Sequence, residues 1–451
     1  MRNANFLKEN NARHMWHPMA NAGEMLAHPP KIINAAKGAE ITDIDGHTVL
    51  DAVGGLWNVN LGYSNAVVKK AIHDQLEDLP YYSTFRGTSN APVIELSFEL
   101  AEFFKPDGLT RSFFTSGGSD SVESALRLAR QYHKIKGQPE RTKFFALKKG
   151  YHGTHFGGAS VNGNANFRRA YEPLLPGVFH LPAPWTYRNP FGTTDGAVIA
   201  QSIAALFEDE IAFQGADTIA AFIMEPILGA GGVIVPHESF MPLMRAICDK
   251  HGILMIADEV ITAFGRTGAW TGSRLWGVQP DMMCTAKAIT NAYYPFGAVM
   301  INEKLTEAFE TSKSPLASIG HGYTYSGHPV GAAAALATLS ETKRLNLPVN
   351  AAARGLELLA GLEALKLKHE LVGDVRGKGL MCAVELVSDR AKKSAPSKDI
   401  VQKVQDIAYA NGVMLRTSGP NIILSPPLII TSHDVQKILA GLDAGLSGAL
   451  A

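Results

Sequence analysis

The apolar positions of this chain follow two rhythms, and the rhythms alternate. Short continuous apolar runs, such as Ile253-Leu254-Met255-Ile256-Ala257 and residues 218–224, read as strands buried on both faces. Similar runs predict strands at 112–115, 143–147, 282–286 and 297–302. Between them, apolar residues recur every third or fourth place. Val122, Ala125, Leu126, Ala129 and Tyr132 mark one such helix, and residues 240–251 another. The same spacing predicts helices over 65–79, 92–104 and 401–410, with a buried alanine-rich helix from Gly331. Strands and helices in this order argue an α/β fold, with a mainly parallel sheet covered on both faces.

The ends of the chain read differently. Residues 1–35 carry Pro18, Pro29 and Pro30 and few periodic positions, which suggests an arm folded over something else, such as a partner subunit. Residues 39–51 are two alternating runs around Asp45-Gly46, a hairpin signal. Residues 173–215 look loop-rich, with their prolines crowded before position 191. From about 348 the pattern changes. A helix to 367 is followed by Gly373 to Leu380 leading into a strand at 381–386, a solvated loop near 392–398, and apolar strands at 413–416 and from Ile422. That block reads as a smaller domain.

Candidate chemistry collects where strands end, the edge at which open α/β sheets bind ligands. Asp258 and Lys287 are each the first polar residue past an apolar strand. They fit a strand-end salt bridge or helix cap. They also fit a Schiff-base lysine, with an aspartate keeping the ring nitrogen of a pyridoxal cofactor protonated. Ser116-Gly117-Gly118-Ser119-Asp120 opens a helix after a strand, which suits either a phosphate site or a plain turn. No GK[ST] follows, so it is not a P-loop. Tyr151 stands past the next strand and could stack on a flat ligand. His152 and His155 lack a carboxylate or cysteine at zinc spacing, so no metal is expected. Glu225 ends another strand, but the glycines after it complete no dinucleotide fingerprint. Gly54-Gly55-Leu56-Trp57 suggests backbone near a ligand or another chain, or a loose loop with Trp57 as core filler. Arg416 reads as a carboxylate clamp or a surface arginine.

Composition narrows the setting. A chain of 451 residues with 46% hydrophobic and 19% charged residues is long and apolar enough for two globular domains. Lys+Arg and Asp+Glu both number 42, which gives no support to a nucleic-acid or anionic-membrane partner. Cys248, Cys284 and Cys382 are far apart with no CxxC, as in a reducing cytoplasm. Residues 1–11 are polar and carry no apolar signal core. No run approaches the roughly 20 apolar residues of a membrane span.

Four segments carry a family likeness together: residues 257–268 (ADEVITAFGRTG), Thr285-Ala286-Lys287, residues 321–329 (HGYTYSGHP) and Gly377-Lys378-Gly379. The chain resembles the class III aminotransferases, among the fold-type I pyridoxal-phosphate enzymes, from about residue 15 to 445. Gly54-Gly55-Leu56-Trp57, Leu79-Pro80-Tyr81-Tyr82 and Ser425-Pro426-Pro427 are most similar to the ω-amino acid– or amine–pyruvate aminotransferases. The resemblance implies an arm with part of a small domain (1–75), a large cofactor domain (76–335) and a C-terminal small domain (336–451). It implies pyridoxal 5'-phosphate, an amine donor and pyruvate, and a homodimer or tetramer with shared sites.

The implied roles fall on named positions. Lys287 would form the Schiff base and shuttle the proton, and Asp258 would pair with the pyridinium nitrogen. Gly118 and Ser119, with Thr324 of a second subunit, would hold the phosphate. Tyr151 and Val260 would cover the ring's faces, with Glu225 also at the cofactor. Trp57, Phe85, Tyr151, Ala230 and Arg416 would shape the substrate pocket; small Ala230 would leave room for bulky amines. Asp120, Gly117 and Ala288 depart from the family's usual Glu, Ser and Gly, which bears on the phosphate loop. The same Asp258 and Lys287 would also serve a dialkylglycine decarboxylase or a semialdehyde aminomutase. The filled catalytic positions argue against a non-enzymatic binding protein.

Overall fold

The computed structural model describes residues 2–450. Met1 and Ala451, the outer ends of the first and last expected domains, lie outside them. The central sheet has seven strands: β1 (Leu109–Thr115), β2 (Lys143–Leu147), β3 (Val178–Leu181), β4 (Ile219–Met224), β5 (Leu254–Asp258), β6 (Met282–Thr285) and β7 (Gly297–Asn302). Their order is β1-β7-β6-β5-β4-β2-β3. Only β7 runs antiparallel to its neighbours. The sheet is therefore mainly parallel.

Strand alternation sorts the side chains onto two faces. Phe145, Phe222, Met224 and Met255 point to one face, where helices Gly196–Gln214 and Phe240–His251 bury Phe207 and Met244 against them. Phe144, Ile223, Ile256 and Cys284 point to the other, under helix Gly118–Ile135. Residues buried on both sides explain why these strands read as unbroken apolar runs.

Two four-stranded sheets stand beside the central one. Ile33–Lys37, Glu40–Asp43 and Thr48–Asp51 form an antiparallel meander that contains the expected hairpin. Val413–Met414 then joins Thr48–Asp51 in parallel. Val372–Lys378, Met381–Leu386, Asn421–Leu424 and Arg416–Ser418 make the other sheet, all antiparallel. One apolar cluster holds Leu50, Leu61 and Val68 together with Leu358, Leu386, Ile422 and Leu442. The first and last parts of the chain thus share a core.

Three expectations are corrected. Residues 173–215 are not simply loop: Gly196–Gln214 is a helix, with Asp195 capping the N–H groups of Ala197 and Val198, and Val178–Leu181 is an edge strand. Ile199, Ile203, Phe207 and Ile211 drive that helix onto the sheet, a spacing that the prolines upstream obscured. Gly373 to Leu380 is mostly strand rather than an approach to one. The strand expected at 413–416 divides at buried Leu415, which turns inward as the chain crosses between sheets. The arm carries short helices at Ala4–Asn10 and Ala22–Ala27 with no buried residue, and it leaves Trp16 exposed.

Phe207 is fully buried between its helix and the sheet. Phe207→Ala should cost about 3–5 kcal/mol, read as a lower urea midpoint for unfolding. An unchanged midpoint would show that the helix contributes little to holding the sheet.

Candidate active site

Four adjacent strands deliver polar residues to one edge of the sheet. Tyr151 and His152 follow β2, Glu225 follows β4, Asp258 ends β5 and Lys287 follows β6. These strands are neighbours and parallel, so their carboxyl ends open on the same side. Together with Gly118, Ser119 and Val260, these residues line one cavity of about 340 Å³.

The helix start is built to accept an anion. Gly117, extended at φ 174°, precedes helix Gly118–Ile135, and no side chain caps it. The first N–H groups have no acceptor within the helix and sit at the positive end of its dipole. A Cβ on Gly118 would lie 3.0 Å from Val260 Cγ1, so glycine lets the valine close in. Gly153 has φ +98°, and a Cβ there would meet Ser119 Oγ at 2.7 Å. Ser119 Oγ accepts the Thr154 N–H at 3.2 Å.

Asp258 is 4% exposed and has two partners. Its Oδ2 lies 2.8 Å from His152 Nδ1, and its Oδ1 accepts the Val260 N–H at 3.2 Å. A carboxylate only accepts, so Nδ1 carries the histidine proton. Asn162 holds this histidine in place: its Oδ1 accepts the His152 N–H, and its Nδ2 donates to the Gly153 carbonyl at 2.9 Å.

Glu225 accepts the Tyr151 N–H at 2.9 Å and the Gly229 N–H at 2.8 Å. Burial pushes its pKa up to about 7, with the Asp258 charge adding to the rise and His152 opposing it. Burial pulls Lys287 down to about 8, against the attraction of Asp258 and Glu225. Burial, Asp258 and Glu225 raise the Tyr151 hydroxyl, which stays a neutral phenol.

The other expected residues lie elsewhere. Arg416 is exposed on the small sheet, but its charge acts on both Tyr151 and Lys287. Ala230 is tied through its carbonyl to Ser418 Oγ at 2.9 Å. Thr324 and Phe85 are exposed on adjoining loops, where the Tyr81 hydroxyl donates to the Thr324 carbonyl at 2.7 Å. None of these four lines the cavity of the single chain. Trp57 packs among Ile227, Val233 and Ile261, and its neighbours Leu56 and Asn58 line the cavity of the single chain. Trp57 has a φ of +63° within a kinked turn.

His152, which lines the cavity and bonds Asp258, is the residue there that the sequence pattern did not single out for the cofactor. It was weighed only with His155 as a metal pair, yet His155 bonds Asp120 at 2.6 Å and stays exposed. The available signal was its place just past a strand end, beside Tyr151.

The family model for class III aminotransferases matches residues 22–446. The chain is a class III aminotransferase. Such enzymes use pyridoxal phosphate. A putrescine–pyruvate aminotransferase of Pseudomonas aeruginosa is 34% identical, covering 94% of this chain and 91% of its own. An amine transaminase from an uncultivated Pseudomonas species, solved with pyridoxal phosphate bound, is 45% identical with a TM-score of 0.95, over 96% of this chain and 98% of its own. An (S)-enantioselective ω-transaminase of Thermomicrobium roseum is 38% identical with a TM-score of 0.96, over the full length of both. The aminotransferase thus has the fold-type I architecture of these solved relatives.

The depressed lysine sets a pH dependence. Its folded pKa, about 8, lies below the ordinary 10.5, so folding is penalised while the unfolded lysine is protonated. The penalty is full below pH 8 and fades as pH rises toward 10.5. Lys287→Met should therefore stabilise the cofactor-free protein near neutral pH, with the gain in Tm shrinking across that window. A gain that does not vary with pH would contradict the shift.

Proposed function

We propose that this aminotransferase moves an amino group from a primary amine or ω-amino acid to pyruvate. The observation that carries the proposal is the meeting of Lys287, Asp258 and the uncapped helix start in one cavity. The residues present suit the cofactor: an anion cradle, a buried braced acid and an amine of lowered pKa, in that cavity. When bound, pyridoxal phosphate supplies an aldehyde that condenses with amines and a ring that withdraws electrons from them.

The chain's residues then divide the work. The N–H groups of Gly118 and Ser119 hold the phosphate. Asp258, oriented by His152, holds a proton at the ring nitrogen. Tyr151 and Val260 cover the two faces, and Glu225 fixes the Tyr151 backbone. Lys287, close to neutral pH in its titration, supplies the attacking amine and carries the proton. Arg416 takes the carboxylate of pyruvate or of an ω-amino acid. Ala230 and Phe85 bound the amine side.

The reading extends to assembly and place. Thr324 and Phe85 serve a neighbouring copy's cavity in a homodimer or a larger assembly of dimers. Exposed Tyr81, Tyr82 and Tyr325 support such a contact. The free, buried cysteines favour a cytoplasmic setting. Among the described residues no helix is long and apolar enough to cross a membrane. The similarity to a putrescine–pyruvate aminotransferase favours pyruvate as acceptor. Residues 1–75, 76–335 and 336–451 are proposed as the working units.

Purified holoenzyme treated with β-alanine, taurine, a diamine or an arylalkylamine, without acceptor, should lose its visible cofactor absorbance with one donor class. Pyruvate should restore it. Colour that persists with every donor would move the reading to the decarboxylase or aminomutase reactions. Lys287→Ala should keep the cofactor but lose at least ~10²–10⁴-fold in turnover; near-normal turnover would remove the lysine from the chemistry.

A further inference from the structure

Two separate stretches of chain line the cavity around Lys287. One supplies Leu56 and Asn58; the other supplies Lys287, Thr290 and Ala292. We propose that Asn291 is a positioning residue that clamps these stretches together, and so sets which amines fit beside Lys287. This rests on the transaminase reading above.

Asn291 is fully buried. Its side chain meets the wall segment as a backbone strand would. Oδ1 accepts the Leu61 N–H at 2.7 Å, and Nδ2 donates to the Gly62 carbonyl at 2.8 Å. A primary amide offers one acceptor and one donor on separate atoms of a short stem, so it can pair with both groups of a peptide segment at once. The backbone adds a second requirement. Asn291 has φ +52°, a left-handed conformation that asparagine tolerates better than most residues.

The residue also belongs to the lysine's own turn. The Asn291 N–H donates to the Ala288 carbonyl at 3.0 Å, and the Ala292 N–H to the Lys287 carbonyl at 3.2 Å. A shift of Asn291 therefore reaches the Lys287 backbone directly. Beyond the clamp, the wall is fixed at Asn60. Its Nδ2 donates to the Phe264 carbonyl at 3.1 Å, and its Oδ1 accepts from Arg266 Nη2 at 2.6 Å. Asn58 Oδ1 accepts the Leu56 N–H at 3.0 Å and stiffens the part that faces the cavity. The Tyr293 hydroxyl also reaches the Gly62 carbonyl, at 2.7 Å, but leaves the Leu61 N–H to Asn291 alone. Without the amide, the wall stays tethered at its ends and loses its fixed spacing from the lysine. Active-site geometry is sensitive to shifts of about 1 Å.

Asn291→Gly keeps the left-handed backbone and removes both bonds. Asn291→Asp keeps the acceptor and turns a carboxylate oxygen on the Gly62 carbonyl. The test has two readings on parent and variants. The first is amide hydrogen exchange of the peptide containing Leu61 in the cofactor-free protein. The second is kcat and KM for a small alkylamine and a bulky arylalkylamine with the holoenzyme. We expect Leu61 exchange at least about tenfold faster in both variants: the glycine has no acceptor, and in the aspartate variant the repulsion between carboxylate and Gly62 carbonyl pushes residues 61–62 off the side chain and takes the Leu61 bond with it. We expect the ratio of kcat/KM between the two amines to move by at least about fivefold, chiefly through KM.

Faster exchange with a ratio unchanged within about twofold would make the clamp merely structural and overturn the proposal. Unchanged exchange would overturn it too. Should the glycine variant fail to fold, Asn291→Asp decides on the same readings. In the parent alone, Leu61 exchanging as fast as an exposed amide also overturns the clamp. A parent that turns over no amine donor would instead defeat the transaminase reading, while the exchange measurement still judges the clamp.

Discussion

Ionisable groups gathered beneath the edge of a sheet dominate this structure. Asp258, Glu225 and Lys287 share one cavity, where water no longer compensates their charge. The two acids are held there because the fold supplies partners. Asp258 has His152 and the Val260 N–H, and Glu225 has two backbone N–H groups. The residue after Asp258 solves the same problem differently. Glu259 is fully buried and accepts from Gly272 N–H at 2.8 Å and from Ser273 Oγ at 2.6 Å. Consecutive residues at a strand end point opposite ways. One acid therefore faces the chemistry, and the next anchors the turn that carries the chain away.

The antiparallel strand β7 explains why one loop contributes so much. The chain leaves the sheet edge after β6 and returns to it at Gly297. Everything between must stay near that edge. Lys287, Thr290, Ala292, Tyr294 and Phe296 all line the cavity as a result. Helix Pro329–Arg344 packs against the lysine turn, and buried Phe296 joins Ala332 in the same apolar cluster. The lysine thus rests on a tight turn rather than a long loop.

The parts legible in the sequence were those that one strand decides by itself. A continuous apolar run followed by a polar residue located Asp258, Lys287, Glu225 and Tyr151 at one edge. The helix at Gly196–Gln214 escaped because prolines before it suggested loop throughout. His152 escaped because pairing it with His155 asked a question about metals, and only the packing shows each histidine turned to a different carboxylate. Apolar spacing alone does not encode the positive φ of Trp57 or the kinked turn around it. Thr324 and Phe85 depend on how distant loops meet. The division of 413–418 between two sheets depends on Val413–Met414 pairing with the distant Thr48–Asp51, while Arg416–Ser418 pairs with the strand just after it.

The parallel pairing of Thr48–Asp51 with Val413–Met414 has a consequence for synthesis. The wall at residues 56–62 leads directly out of that early strand. During translation the central sheet can assemble once Asn302 has emerged, since all seven of its strands are then available. The wall still lacks its sheet partner until Val413 leaves the ribosome. For roughly a quarter of its making, between residues 302 and 413, the nascent chain carries a lysine and an aspartate beside an unfinished pocket. A chain ending before residue 413 would lack the strand that pairs with Thr48–Asp51, just ahead of the cavity wall.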